Sequence, residues 1–134
     1  MGSIKIKISR YPIIIISAEE ETHPEDVAEF YQEMQKVLDS HHGKFIIISD
    51  QANAKYMSGP TRIELGRSLQ KISGKYRERE EAVIVVNSSF IGKTMMRGLM
   101  LITQPNKNFF AVSTLDDALA KAEEIKNKIT ETAA

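Results

Sequence analysis

Short apolar runs, most of them β-branched, recur along the chain and are separated by segments with helical spacing. Three runs are continuous, namely PIIIIS (12–17), FIIIS (45–49) and AVIVV (82–86), and NFFAVS (108–113) is predicted as the last strand. Continuous runs of this length are typical of strands that are covered on both faces, as in parallel sheets. IKIKI (4–8) alternates strictly instead. This alternation indicates a strand with one solvated face, antiparallel to its neighbour and at an edge of the sheet.

The segments between and after the runs carry apolar residues at spacings of three and four, which is typical of amphipathic helices. The predicted order is therefore ββαβαβαβα. Strands that alternate with helices indicate an α/β fold with a mostly parallel sheet. We expect a single mixed sheet of five strands with four helices.

Each predicted helix has a recognisable start or apolar stripe. Thr22 to Glu25 has the form of a capping box, and Thr114 to Asp117 has the related S/T-x-x-D form. The second helix is predicted to begin at about Pro60, since proline suits the first turn. The third, rich in methionine, spans about 89–102. The expected buried stripes are Ile63, Leu65, Leu69 and Ile72 in the second helix, and Leu115, Leu119, Ala122, Ile125 and Ile129 in the last.

Composition narrows the class of protein. A chain of 134 residues is expected to form one domain, with residues 1–3 as a disordered or tag-derived end. There are no cysteines, so we expect no disulfide and no cysteine-based metal site. Because 18 basic residues balance 18 acidic ones, we expect no nucleic-acid partner. No apolar run approaches the roughly 20 residues that span a bilayer. A cytoplasmic protein with no integral membrane segment is the expectation.

NSSFIGKT (87–94) follows an apolar strand and precedes a helix, as a phosphate-binding loop does. Gly92, Lys93 and Thr94 match the end of the G-x-x-x-x-G-K-[ST] motif, but Asn87 occupies the position of its first glycine. The alternative is a helix start capped by Ser88 or Ser89. We favour the cap, and no cofactor is expected.

Other candidate chemistry is sparse. His41 and His42 are adjacent, whereas metal ligands on one helical face need spacings of three or four. A carboxylate pair formed by Asp50 and one of Glu19 to Glu21 is the only acid–base candidate, because these residues follow neighbouring strands. An enzyme is therefore the weakest hypothesis, and no catalytic residue is assigned.

The methionine-rich helix is apolar around most of its circumference. One side is expected to cover the sheet, while the rest could be core, a homodimer or partner surface, or a contact for a lipid or other apolar ligand. The residues that would form this ligand or interface surface are Phe90, Met95, Met96, Leu99 and Met100.

The loop before the second helix contains the most suggestive serine. Ser58 is expected at or just before the N-cap of that helix, where it either only caps or also accepts a phosphate. Lys55 and Arg62 could pair with such a phosphate. Gly59 would let a partner approach the backbone.

The order of strands and helices, with Ser58-Gly59 opening the second helix, resembles the STAS domain of bacterial anti-sigma-factor antagonists. In that family a serine directly before a glycine, in an Asp-Ser-Ser-Gly type segment, is phosphorylated by a partner kinase. Ser58-Gly59 matches by position, whereas Tyr56 and Met57 stand where the family has Asp and Ser, and Pro60 follows the glycine.

The later half of the chain resembles the SpoIIAA-like branch, which shares the STAS/SEC14 type fold. The segments that carry this likeness are AVIVV, FIGKTMMRGLMLI and NFFAVSTLDDALA. The first resemblance implies a non-enzymatic interaction domain with a regulator or kinase-like partner, whose site includes Asp50 in the loop before Ser58. The SEC14 comparison implies binding of a lipid or apolar small molecule as the alternative.

Overall fold

The computed structural model describes residues 4–18, 21–51, 57–86 and 109–133. Within these ranges it contains one five-stranded sheet and three helices. The strands are β1 (Ile4–Arg10), β2 (Ile13–Ala18), β3 (Phe45–Asp50), β4 (Glu80–Val86) and β5 (Phe109–Val112). The helices are α1 (Pro24–Asp39), α2 (Gly59–Lys75) and α3 (Leu115–Ala133). The sequence predicted four helices, and the one expected at 89–102 lies outside the described residues.

The strands lie in the order β1-β2-β3-β4-β5 across the sheet. β1 pairs with β2 in the antiparallel sense, and the other three pairings are parallel. The mixed five-stranded sheet is thus confirmed, as is the antiparallel first strand at its edge. Tyr11 and Pro12, joined by a cis peptide bond, form the turn between β1 and β2.

The alternation of side chains along each strand creates two cores. On β2, Ile14 and Ile16 belong to the cluster that α1 and α2 cover, whereas Ile13 belongs to the cluster under α3. Both faces of β3 are covered, since Phe45 to Ile48 are all fully buried. This explains why the sequence of β3 is a continuous apolar run rather than an alternating one.

α1 begins one residue later than the predicted capping box. Its N-cap is His23, whose backbone N–H donates to Oδ2 of Asp26 at 2.9 Å. Thr22 is buried and forms an isolated parallel bridge with Met57. The prediction that Thr22 caps the helix is therefore wrong, because this bridge holds Thr22 in extended pairing just before the helix.

The buried stripe of α2 differs from the prediction at one position. Leu65, Leu69 and Ile72 are buried as expected, but Ile63 is 54% exposed. Successive residues of an α-helix are separated by about 100°. Ile63 therefore lies about 200° around the helix from Leu65, and the buried position before Leu65 belongs to Thr61.

The last helix follows its prediction closely. Thr114 Oγ1 accepts a hydrogen bond from the backbone N–H of Asp117 at 3.1 Å, which confirms the cap. Ala122 and Ile125 are buried, joined by Ala118, and the remaining predicted residues pack against them half-buried. No helix within the described ranges is long and apolar enough to cross a bilayer.

Arg79 lies directly before β4, at the end of the sheet where β3 and β4 begin. Its guanidinium donates to the main-chain oxygens of Leu38 at 2.8 Å, of His41 at 2.9 Å and of Gly43 at 2.9 Å. It also donates to the hydroxyl of Tyr11 at 3.3 Å. One side chain thus satisfies carbonyl groups at and beyond the end of α1. Gly43 has a φ of 83°, a left-handed conformation that glycine adopts readily.

Candidate functional site at the start of the second helix

The starts of α1 and α2 lie side by side at the carboxyl end of the sheet. Their proximity is fixed by the bridge between Thr22, just before α1, and Met57, just before α2. Both residues are buried. The N-terminal ends of two helices are thereby brought together at the carboxyl ends of the strands, which is where open α/β sheets present their loops.

Ser58 is the N-cap of α2, as the sequence predicted. It has extended dihedrals, with φ −66° and ψ 161°, and its Oγ accepts a hydrogen bond from the N–H of Thr61 at 3.3 Å. Oγ also lies 2.9 Å from the hydroxyl of Thr61. The residue is exposed, while Thr61 is buried. The serine oxygen therefore caps the helix from a residue that is exposed overall.

The electrostatic environment of Ser58 favours an anion. The first turn of α2 contains no acidic residue, so the partial positive charge of the helix start is not neutralised within that turn. Arg62 is exposed one turn further along α2. Its backbone N–H donates to the main-chain oxygen of Ser58 at 3.0 Å. Side chains on a helix point towards its N-terminus, so the Arg62 guanidinium has the reach to meet a charge on Ser58. Lys55 lies outside the described residues.

Gly59 is not required by packing. A Cβ added there would meet no atom within 4 Å, and the backbone is not left-handed. The fold would accept a larger residue at this exposed position. Space beside Ser58 is therefore open to solvent.

Asp50 lies at the carboxyl end of the strands, but on the face of the sheet that α2 does not cover. It ends β3, where it pairs in register with Ser17 of β2 and Val86 of β4. By the alternation along β3 it shares the face of Ile46 and Ile48, which α3 covers, whereas α2 packs on the other face. The structure thus places Asp50 on the opposite face of the sheet from the helix that Ser58 caps.

Sequence reasoning missed Ser17. Its Oγ is buried, and it has no hydrogen-bond partner among the described residues. A hydroxyl at the end of an apolar run, as in IIIIS, is the only sequence signal that could have drawn attention to it.

Of the four carboxylates considered for an acid–base pair, Asp50 and Glu21 lie within the described residues. Glu21 is exposed, and its Oε1 lies 3.9 Å from Nε2 of His23. Glu19 and Glu20 lie outside the described residues. In the described part of the chain, no group of three histidine or acidic side chains is placed to hold a metal ion.

A cleft that is separate from the start of α2 lies between β5 and α3. This cleft has a volume of 450 Å³ and is lined by side chains of both elements, including Phe110, Val112 and Lys121. The Lys121 ammonium lies 4.5 Å from the centroid of the Phe110 ring. The loop NSSFIGKT and the methionine-rich segment, with Phe90, Met95, Met96, Leu99 and Met100, lie outside the described residues.

No family model, no curated protein and no solved structure matches this chain. The resemblance to STAS domains therefore rests on the order of strands and helices and on the Ser58-Gly59 pair. The function must accordingly be argued from the geometry at the start of α2.

Proposed function

We propose that this protein is a non-enzymatic, STAS-like interaction domain of the SpoIIAA-like type, regulated by phosphorylation of Ser58. The observation that carries the proposal is the position of Ser58, an exposed N-cap in an open, acid-free helix start. Gly59, which packing does not require to be glycine, leaves the backbone beside the serine accessible to a partner.

A phosphate on Ser58 would be stabilised where it forms. It adds a charge of about −1.5 to −2 and three acceptor oxygens. The N–H groups of the first turn and the helix dipole favour an anion there, typically by about 0.3–1 kcal/mol per charge at an exposed site. Arg62, and Lys55 three residues before the serine, supply cations to pair with it. The modification is therefore compatible with the folded domain and acts on its surface.

The partner surface is expected to extend along α2 from Ser58. Arg62 is exposed there, and Ile63 is 54% exposed. An exposed isoleucine beside a cation offers both contact area and charge selectivity to a protein partner. A phosphate at Ser58 would change the charge that such a partner meets.

The test combines modification with binding. Intact-mass and peptide mass spectrometry of protein from its native host should find phosphate on Ser58, and Ser58→Asp should change the affinity for a co-purifying partner by at least tenfold. Ser58→Asn keeps a capping side chain without the charge, and should bind as the wild type does. Thr114→Asp places the same charge at the N-cap of α3, so it serves as the matched control and should have no effect.

Two results together would refute the switch. These are Ser58 found unmodified under all growth conditions, and Ser58→Asp binding indistinguishable from Thr114→Asp.

The cleft between β5 and α3 favours a second candidate function, the binding of a lipid or other apolar small molecule. Its 450 Å³ falls within the range of about 300–1,000 Å³ that is usual for ligand sites. Phe109 and Phe110 supply its aromatic surface, and the polar part of its lining is Asp117, Glu124 and Lys121, whose ammonium lies 3.7 Å from Oε2 of Glu124. Native mass spectrometry should detect a co-purified ligand that is lost in Phe110→Asp. A ligand-free mass from several expression hosts would count against this candidate.

A further inference from the structure

The two helices that cover one face of the sheet carry opposite charges. α1 has five acidic residues and one basic residue, for a net charge of −4. α2 has four basic residues and one acidic residue, for a net charge of +3. The charged residues are Glu25, Asp26, Glu29, Glu33, Lys36 and Asp39 on α1, and Arg62, Glu64, Arg67, Lys71 and Lys75 on α2.

The helices lie side by side, so the acidic and basic surfaces adjoin. Lys75 Nζ donates to Oε1 of Gln35 at 2.5 Å, and Lys71 Nζ lies 5.7 Å from the centroid of the Tyr31 ring. With the bridge between Thr22 and Met57 at the helix starts, these contacts place α2 beside α1. The charges of the pair are consequently divided lengthwise, with the acidic residues mostly on α1 and the basic residues mostly on α2.

A face divided in this way is complementary to itself. A twofold axis parallel to the helices would place α1 of one copy over α2 of the other, and the reverse, so that both contacts join opposite charges. A twofold axis across the helices would instead oppose α1 to α1 and α2 to α2. Electrostatics therefore favours the arrangement whose twofold axis is parallel to the helices.

The face also offers an apolar contact. Ile63 lies on the basic helix. It is 54% exposed, more than any other large hydrophobic side chain in the described ranges. Ala28, a small exposed residue, lies on the acidic helix. An apolar contact flanked by charges is the usual composition of a specific but weak interface.

We propose that this protein forms a homodimer through the outer face of α1 and α2, with the acidic helix of each copy against the basic helix of the other. Helices of 16 and 17 residues are about 25 Å long. At about 10 Å width each, the pair covers about 500 Å² per copy, or about 1,000 Å² in total, the lower end for a specific interface. The dimer is therefore weak, exchanges readily and depends on salt.

Sedimentation equilibrium of the full chain tests the association itself. The average mass should rise towards the dimer over about 10–500 µM at 0.1 M salt, as suits a small polar interface. It should return to the monomer at about 1 M salt, where the screening length falls to about 3 Å. A monomer at every concentration in 0.1 M salt would overturn the proposal.

Charge-reversed variants test the arrangement. Arg67→Glu with Lys71→Glu makes both helices acidic, and Glu25→Lys with Glu29→Lys and Glu33→Lys makes α1 basic, with a net charge of +2, beside a basic α2. Each variant alone should be monomeric, whereas an equal mixture should form a heterodimer, because each helix again meets its opposite. Lys126→Glu with Lys128→Glu on α3 is the matched control and should dimerise as the wild type does.

Circular dichroism of every variant establishes that it is folded before its mass is interpreted. A mixture that stays monomeric, or an α3 control that loses association to the same extent, would overturn the proposed face.

Discussion

At the scale of single residues, Arg79 joins the end of α1 to two aromatic rings of the core. Besides its four hydrogen bonds, the guanidinium lies 5.6 Å from the centroid of the Phe45 ring and 5.9 Å from that of Tyr76. A planar cation with several donors is suited to bind a helix end and two aromatic rings together. A lysine side chain carries the same charge, but it lacks the planar guanidinium group and its several N–H donors.

We therefore expect Arg79→Lys to lower the free energy of unfolding by about 1–2 kcal/mol, since the carbonyl groups at and beyond the end of α1 lose their donors. Urea denaturation measures the change. Arg77→Lys, at an exposed position two residues earlier, is the control and should stay within about 0.5 kcal/mol of the wild type. Equal stabilities of the two variants would show that the Arg79 contacts do not stabilise the fold.

Tyr76 makes stability depend on alkaline pH. Burial raises the pKa of Tyr76 to about 12, and the Asp39 carboxylate, which accepts a hydrogen bond from the tyrosine hydroxyl at 2.8 Å, adds to the rise. The unfolded chain titrates near the usual pKa of about 10. Because the folded pKa is the higher one, the associated stability is complete below about pH 10 and is lost as the pH rises through 12.

Because the tyrosine hydroxyl is only part-buried, solvent screening reduces the effect, and the expected loss between pH 10 and pH 12 is about 1 kcal/mol. Urea denaturation at a series of pH values measures it. Tyr76→Phe cannot ionise at this position, so its stability should fall less over the same range. A parallel decline in both proteins would assign the alkaline loss to other groups.

At the scale of elements, α2 shows how tertiary packing selects one face of a helix. Leu65 is buried against the sheet, and Ile63, two residues earlier, faces solvent. Both are large aliphatic residues in the same helix, so helix propensity does not separate them. Their difference in burial alone predicts different mutational effects.

Leu65→Ala should destabilise the protein by about 2–5 kcal/mol, because it leaves a cavity in the core. Ile63→Ala should change stability by about 0.5 kcal/mol or less, as surface substitutions usually do. Thermal or urea denaturation at low micromolar concentration measures both without a contribution from association. A comparable loss in the two variants would contradict the orientation of α2.

At the scale of the whole molecule, the sheet should be most stable at its centre. β3 is paired on both sides and covered on both faces, whereas β1 has only β2 as a strand neighbour in the described sheet. Exchange of a backbone amide requires opening of the structure around it. The centre of the sheet can open only when most of the core opens with it.

Hydrogen exchange followed by mass spectrometry or NMR should therefore find the slowest amides in β3 and its neighbours β2 and β4. The amides of β1 should exchange at least tenfold faster, since an edge strand frays without disrupting both cores. Amides of β1 as slow as those of β3 would indicate that this edge is covered in solution.

Some of this architecture could be predicted because it is encoded locally. A continuous run such as FIIIS and an alternating one such as IKIKI differ in period, and the period reports how many faces of a strand are covered. Ser58 and Thr114 were predictable as caps because each satisfies N–H groups only three residues away. The candidate switch residue was thus visible in the sequence.

Other features depend on residues that are far apart in the chain. The bridge between Thr22 and Met57, the binding of Arg79 to the end of α1, and the exposure of Ile63 have no local signature. The same holds for the position of Asp50 on the face opposite α2, and for the meeting of an acidic helix with a basic one. The sequence by itself determined the strands, the caps of α2 and α3 and the charge of each helix, because these depend on spacing and composition within a few residues. Only the tertiary structure decided which faces are buried and which charges are neighbours, because those follow from contacts between segments that folding brings together.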